Sequence, residues 1–387
     1  MIIRQLSIRK NHSFFLLGSR GTGKSTLLRA VLPAAATAVF DLLDFDLETR
    51  LLQQPGLFAE LLAALPATVR WVVIDEVQKI PALLDEVHRH IERSPRRHFA
   101  LTGSSARKLK RGQANLLAGR AFTYGLHPLT STELGEHFSL HDALAMGTLP
   151  KICTLKAAVD RCEYLRAYAQ TYLKEEIQSE GIIRNLTAFR RFLPLAATAN
   201  GQILSWSNFA SDVGIDAKTI RSYFEILEDT LLGVLLPAYA RSLRKQQRTH
   251  PKFYFFDPGV KRALAGELTL PLTPGTDAYG RAFEHFWIVE CVRQNEYLRK
   301  DFTFSYFATP DTEIDLVIER PGRSRLFVEF KSASRVKEAA LRPLRNLMAE
   351  VKGSEAICVC CEPRKRRVGA VLVCPWQEFL SVIGLEK

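Results

Sequence analysis

The sequence predicts an α/β protein of several domains, and three observations predict it. First, the apolar run Ser13-Phe14-Phe15-Leu16-Leu17 passes through a glycine-rich turn into the helical pattern 27–32. Second, Trp71-Val72-Val73-Ile74 ends in two acids, Asp75 and Glu76. Third, a helical stretch over 279–293 is followed by alternating strand patterns at 302–307, 313–319 and 326–331. Continuous apolar runs mark parallel strands buried on both faces. Alternation at period 2 marks strands with two distinct faces.

The turn after the first strand reads Gly18-Ser19-Arg20-Gly21-Thr22-Gly23-Lys24-Ser25-Thr26, the G-x-x-x-x-G-K-[ST] spacing of a P-loop. Gly18, Gly21 and Gly23 let successive backbone N–H groups face a phosphate, and the helix that follows adds its positive N-terminal end. Lys24 would reach the β- and γ-phosphates, and Ser25 would offer its hydroxyl to Mg²⁺. The expected ligand is ATP or GTP.

After a second strand at 37–44 and a helical pattern over 51–65, the run into Asp75-Glu76 has the Walker B form. Asp75 is then placed to hold Mg²⁺ through water, and Glu76 to orient the attacking water. A helix over 82–92 and a strand from His98 end in Thr102-Gly103-Ser104-Ser105. Thr102 or Ser104 would sense the γ-phosphate there, or the segment is a simple turn. Arg120, just ahead of a last strand at 121–126, is either an arginine finger acting on a neighbouring subunit's nucleotide or a surface residue.

At 387 residues the chain is long enough for two or three domains, and 47% hydrophobic residues suffice for their cores. No apolar run approaches the ~20 residues that span a bilayer, and the N-terminus lacks a signal peptide's apolar core. A cytoplasmic protein with no membrane partner is expected. Of the seven cysteines, Cys358, Cys360 and Cys361 share a strand-like run, which reads as buried reduced thiols with no structural metal. The net charge of +12 favours nucleic acid, DNA first, as a partner.

The runs GSRGTGKSTLL, WVVIDEVQKIP, LTGSSARKL and LAGRAFTYGLHPLTSTEL together resemble a prokaryotic AAA-type ATPase family whose members carry a C-terminal domain of unknown function. TYLKEEI, PKFYFFDPGV and GRAFEHFWIVE extend the resemblance over essentially the whole chain. It implies a nucleotide site on Lys24, Ser25, Asp75 and Glu76, with Arg120 acting in trans and hence a homo-oligomer.

The stretch 140–200 is helical in pattern, with Tyr164, Leu165 and Tyr168 spaced for packing. Beyond it a short helix stops at Gly214 and Asp216 caps the next, the grammar of a helix-turn-helix. Lys218 and Arg221 would lie on the second helix, and Arg244 and Lys245 belong to a basic stretch ahead of a wing strand at 249–256. This winged helix would either contact DNA or serve as a packing module, and Glu225, Glu228 and Asp229 make its second helix acidic.

The best linker signal is Leu270-Pro271-Leu272-Thr273-Pro274-Gly275. Beyond it Glu284 flanks a helix's apolar stripe, Asp315 lies in a strand, and Glu329 and Lys331 project from one side of the next strand. That set resembles the site of PD-(D/E)XK nucleases, with a restriction-endonuclease-like α/β fold. Glu284, Asp315 and Glu329 would hold one or two Mg²⁺ ions and Lys331 would help activate water. Ile314 stands where such sites have proline. The same charges would serve equally as a salt-bridge cluster in a domain that binds without cutting. The expected domains are a P-loop AAA-type ATPase domain at 1–135, a helical linker at 136–200, a winged-helix-like domain at 201–268 and the nuclease-like domain at 275–387. The segment Pro363-Arg364-Lys365-Arg366-Arg367 reads as a hairpin turn between the last two strands.

Overall fold

The computed structural model describes residues 2–93, 96–104, 117, 119–172, 185–239 and 250–386. The chain forms two compact units, one of residues 3–129 with 226–232, the other of 130–225 with 233–387.

The first unit is a five-stranded, all-parallel sheet. Its elements in chain order are β1 (Ser13–Leu17), α1 (Lys24–Val31), β2 (Thr37–Asp41), α2 (Phe45–Gln53), α3 (Leu57–Ala64), β3 (Trp71–Asp75), α4 (Leu83–Arg93), β4 (His98–Gly103) and β5 (Ala121–Gly125). The strand order is β2-β3-β4-β1-β5. Alternation divides each strand between two cores. Phe15, Leu17, Val72, Ile74, Phe99 and Leu101 pack on one face, and Phe14, Leu16, Val73 and Ala100 pack on the other with Leu27 and Leu28 of α1. The single helical pattern expected over 51–65 is two helices, because Pro55 and Gly56 interrupt it.

The second unit opens with helices α5 (Ser131–Leu134), α6 (Leu140–Met146), α7 (Pro150–Thr154), α8 (Ala158–Ala167) and, after a π-helical turn at Tyr168–Tyr172, α9 (Leu186–Thr198). Then come α10 (Trp206–Val213) and α11 (Ala217–Asp229), followed by the antiparallel pair β6 (Gly233–Leu236) and β7 (Lys252–Phe255). Gly214 ends α10 in the left-handed region at φ 75°, and the Asp216 carboxylate accepts the Thr219 N–H at 2.9 Å, as the helix-turn-helix pattern predicts. Phe192, Phe209, Phe224 and Phe253 meet edge-on or tilted and hold this hairpin to the helices.

After α12 (Pro258–Leu264), the 22-residue helix α13 (Asp277–Leu298) leads into β8 (Thr303–Thr309), β9 (Thr312–Glu319) and β10 (Leu326–Lys331). Helix α14 (Arg342–Glu350), β11 (Glu355–Cys360), β12 (Arg366–Val368), β13 (Val371–Pro375) and α15 (Trp376–Ile383) complete the chain. The six-stranded sheet runs β12-β13-β11-β10-β9-β8, antiparallel through β8, β9 and β10 and parallel from β10 to β11 and β13. Phe283, Phe286 and Trp287 of α13 cover one face with Val328 and Phe330; Leu344 and Leu347 of α14 cover the other with Phe327. The turn expected at 363–367 lies elsewhere. Arg366 and Arg367 belong to β12, and the β12–β13 hairpin turns at Gly369-Ala370, because β11 pairs in parallel with β13 and needs a longer connection.

His285 on α13 is 2% exposed, and its Nε2 donates to the Phe255 carbonyl of β7 at 2.6 Å. Burial pushes its pKa down to about 3, with Lys261 and Arg293 adding to the fall. Since the imidazole is kept neutral in the fold but protonates near pH 6.5 when unfolded, acid favours the unfolded chain. Between pH 6.5 and pH 5 this one group is expected to remove about 2 kcal/mol of stability. Urea denaturation at pH 7 and pH 5 checks it. The stability gap between the unmodified protein and His285→Gln should narrow at the lower pH.

Candidate functional site

The C-terminal ends of β1, β3 and β4 converge on the glycine-rich turn. Gly18 bonds through its N–H to the Gly103 carbonyl at 3.1 Å, so the turn is fastened to the end of β4. A Cβ on Gly18 would lie 2.3 Å from the Leu126 carbonyl oxygen, which only glycine permits. Gly21 and Gly23 take φ of 80° and 93°, the left-handed region open to glycine. Ser19 is buried and its carbonyl accepts from Thr22 Oγ1 at 2.8 Å; Arg20 and Gly21 form the tip of the turn. Lys24 opens α1, and its ammonium donates to the Gly18 carbonyl at 2.8 Å. Thr26 is exposed on the same first turn.

Ser25 and Asp75 meet as the sequence predicts: Ser25 Oγ donates to Asp75 Oδ2 at 2.7 Å. Thr102, fully buried at the end of β4, donates to the other oxygen, Asp75 Oδ1, and its Oγ1 accepts the Glu76 N–H at 3.0 Å. Glu76 stands at φ 58°, a conformation that costs a non-glycine residue about 1 kcal/mol or more and is fixed here by that bond. Its carboxylate faces Lys24 at 4.0 Å.

Ser104 does not stand free. Its hydroxyl accepts from Gln78 Nε2 at 3.0 Å, and the same amide donates to Glu76 Oε2. Gln78 escaped the sequence reading because nothing in its type or spacing separates it from a polar turn residue. Arg4 escaped it too. Its guanidinium donates to the Thr22 carbonyl at 2.8 Å and the His127 carbonyl at 2.6 Å, bracing the glycine-rich turn from 18 residues upstream. Arg120 lies in the turn before β5, where it pairs with Glu92 at the end of α4 at 2.5 Å.

The residues present suit a Mg-bound nucleoside triphosphate. The turn leaves no room for a side chain at Gly18, a lysine stands at the helix start, and a hydroxyl and a carboxylate are already paired where Mg²⁺ would be held. Residues 10–135 match a family model described as an AAA domain. The first unit therefore carries an AAA-type domain with a P-loop-like turn. Two further models match: a domain of unknown function (DUF8612) over 137–270 and a domain of unknown function (DUF4143) over 279–379. Uncharacterized proteins of Mycobacterium bovis and Mycobacterium tuberculosis are each 29% identical over 379 residues, covering 96% of this chain and 82% of theirs. Among solved structures, the ADP form of Aeropyrum pernix ORC2 aligns at 13% identity and TM-score 0.32, over 67% of this chain and 89% of its own. Caenorhabditis elegans PCH-2 aligns at 16% identity and TM-score 0.23, over 56% and 62%.

A second polar cluster lies in the other unit. The β9–β10 register pairs Leu316 with Val328, so its continuation sets Asp315 across from Glu329. The strands part there, and Asp315 Oδ2 accepts the Phe330 N–H at 2.8 Å. Glu329 Oε1 pairs with Lys331 Nζ at 2.7 Å, while its Oε2 is buried with no hydrogen-bond partner. Glu284 of α13 accepts from Tyr254 Oη at 2.6 Å and lies 3.4 Å from Lys252 Nζ, both on β7. Lys252 also pairs with Glu313 at 2.6 Å.

Burial, then Glu284 and Glu329, push the Asp315 pKa well above the carboxylate range, and burial raises Glu329 as well. Burial opposes the charge of Lys252, but Glu284, Asp315 and Glu313 outweigh it and raise its pKa. The four sequence-predicted residues thus come together, with Lys252, Tyr254 and Glu313 added. Among the described residues no group of three or more His, Cys, Asp or Glu side chains is arranged to hold a metal ion; in this cluster Glu284 is hydrogen-bonded to Tyr254 and paired with Lys252.

Lys218 and Arg221 are exposed on α11, and Arg221 pairs with Glu225 at 3.0 Å. Arg244 and Lys245 lie outside the described residues. No helix among the described residues is long and apolar enough to cross a membrane.

Replacing Thr102 by valine tests the nucleotide site's internal wiring. Asp75 would lose a donor and the Glu76 N–H its acceptor, at a cost of about 1–3 kcal/mol. Thr102→Val should lower ATP hydrolysis about tenfold or more while nucleotide affinity stays within a few-fold, as read by steady-state turnover and fluorescent-nucleotide titration.

Proposed function

We propose that this is an ATP-hydrolysing AAA-type protein that acts on DNA, with a C-terminal domain that cuts phosphodiester bonds using a divalent metal. At the first site Lys24 would bind the β- and γ-phosphates, and Ser25 and Asp75 would hold Mg²⁺. Glu76, steadied by Thr102 and Gln78, would orient the attacking water. Bound Mg²⁺ supplies positive charge that neutralises the phosphates. Arg120 would act on the nucleotide of a neighbouring copy, which makes a homo-oligomer the working form. Glu76→Gln should keep nucleotide binding and lose hydrolysis by about 100-fold or more, measured by phosphate release beside a binding titration.

For the C-terminal domain one observation carries the reading. Asp315 stands across from Glu329, whose Oε2 is buried and unpartnered, with Lys331 on the other oxygen and Glu284 nearby. Helix, three antiparallel strands, helix and parallel strand follow one another here (α13-β8-β9-β10-α14-β11), the order expected of a nuclease-like core. Glu284, Asp315 and Glu329 would hold Mg²⁺, and Lys331 would position the water. The basic net charge and the exposed Lys218 would favour contact with the DNA backbone; Arg221, Arg244 and Lys245 are the other contacts put forward.

A second reading rests on Glu284's present partners: a nucleotide-controlled switch whose C-terminal domain binds without cutting. Supercoiled plasmid and single-stranded DNA incubated with Mn²⁺ or Mg²⁺, with and without ATP, separate the two. Cleavage that Lys331→Ala abolishes is expected. Intact DNA beside normal ATPase activity and DNA binding would replace the nuclease reading with the switch.

A further inference from the structure

Counting acidic against basic groups around the C-terminal cluster exposes an imbalance. Among the described residues Glu284, Glu313, Asp315 and Glu329 set four carboxylates against two ammonium groups, Lys252 and Lys331. The deficit falls unevenly. On the Glu329 side a buried carboxylate oxygen has no partner. On the Glu284 side an ammonium that is 1% exposed and a tyrosine hydroxyl that is fully buried already meet the carboxylate.

Both of these groups come from β7, outside the six-stranded sheet. The segment after β6 is fixed alongside β8 by Tyr306 N–H to the Pro237 carbonyl at 2.9 Å and Tyr239 N–H to the Tyr306 carbonyl at 2.6 Å. Lys252 then lies over the Tyr306 ring at 5.5 Å, a cation–π contact that further holds its position. Gly201, at φ 81°, allows the approach, since a Cβ there would come within 3.1 Å of the Tyr254 ring and 3.8 Å of Glu284 Oε1.

We propose that Lys252 and Tyr254 form a latch that withholds Glu284 from Asp315 and Glu329, so that a divalent cation binds this cluster in competition with the Lys252 ammonium. The proposal rests on the metal-site reading given above. A cation held by Asp315 and Glu329 needs a further oxygen ligand, and Glu284, near enough for its charge to act on both, is placed to give one. To do so it must leave Tyr254 and Lys252. The incoming cation must also approach an ammonium that water does not screen, and like charges in such a setting repel strongly. Lys252 is therefore an antagonist of the metal, whereas Lys331, 40% exposed and bonded to the far oxygen of Glu329, leaves the open carboxylate edge to it.

The test is Mn²⁺ binding to the nucleotide-free full chain, followed by the loss of the free-ion electron paramagnetic resonance signal. Asp315→Asn defines the binding that belongs to this cluster. Lys252→Met should bind Mn²⁺ at the Asp315-dependent site about tenfold more tightly than the unmodified protein. Tyr254→Phe, which removes one hydroxyl and keeps the ring, should tighten it in the same direction by a smaller factor; it carries the test if Lys252→Met does not fold. Asp315-dependent binding that both variants leave unchanged or weaken would overturn the latch and leave the metal site standing. No Asp315-dependent binding in any form would overturn both.

Discussion

A carboxylate taken out of water must be given donors or a cation, and this requirement shapes both polar sites of the chain. Asp75 meets it with hydroxyls: Ser25 on one oxygen and Thr102 on the other. Because Thr102 stands on β4, between the strand that leads into the glycine-rich turn and the strand that ends in Asp75, the sheet order itself satisfies the acid. In the second unit there are too many acids for the local donors. Glu284 is met by a phenol and an ammonium, Asp315 by a backbone N–H, and one oxygen of Glu329 by nothing.

Helix α13 carries this second solution. Along its 22 residues it presents Phe283, Phe286 and Trp287 to the sheet, Glu284 to the cluster and His285 to the β7 backbone. Further on, Glu290 is fully buried and accepts both the N–H and the hydroxyl of Ser131, while Arg293 donates to the Phe256 carbonyl and to Thr148. One helix thus ties the N-terminal helices, the β6–β7 hairpin and the six-stranded sheet of this unit together.

The sequence announced these sites unequally, for physical reasons. The P-loop and the Asp75-Glu76 pair are legible because their chemistry demands fixed residue types at fixed spacing in a short stretch. Glu284, Asp315, Glu329 and Lys331 are legible as a set because strand alternation and chain order place them, and the structure brings those four together. Lys252 and Tyr254 are not, since their role comes from a hairpin docking beside β8, a contact between residues about 70 positions apart. Thr102 and Ser104 could be nominated but not told apart; only the registers of β3 with β4 and β4 with β1 decide that Thr102 faces Asp75. The turn misplaced at 363–367 failed because a parallel pairing of β11 with β13 leaves no trace in local pattern.

The two latch residues are separated by one position on a strand, and that spacing has a mechanical meaning. Lys252 and Tyr254 share a face of β7, while Phe253 and Phe255 stack edge-on at 5.0 Å on the other. A slip of β7 by a single residue against β6 would exchange the two faces at once. Both polar groups would be withdrawn and two phenyl rings presented to Glu284 in their place. In the register observed, one strand therefore presents the ammonium and the hydroxyl together, and the same register that seats the two phenyl rings in the core sets both polar groups against Glu284.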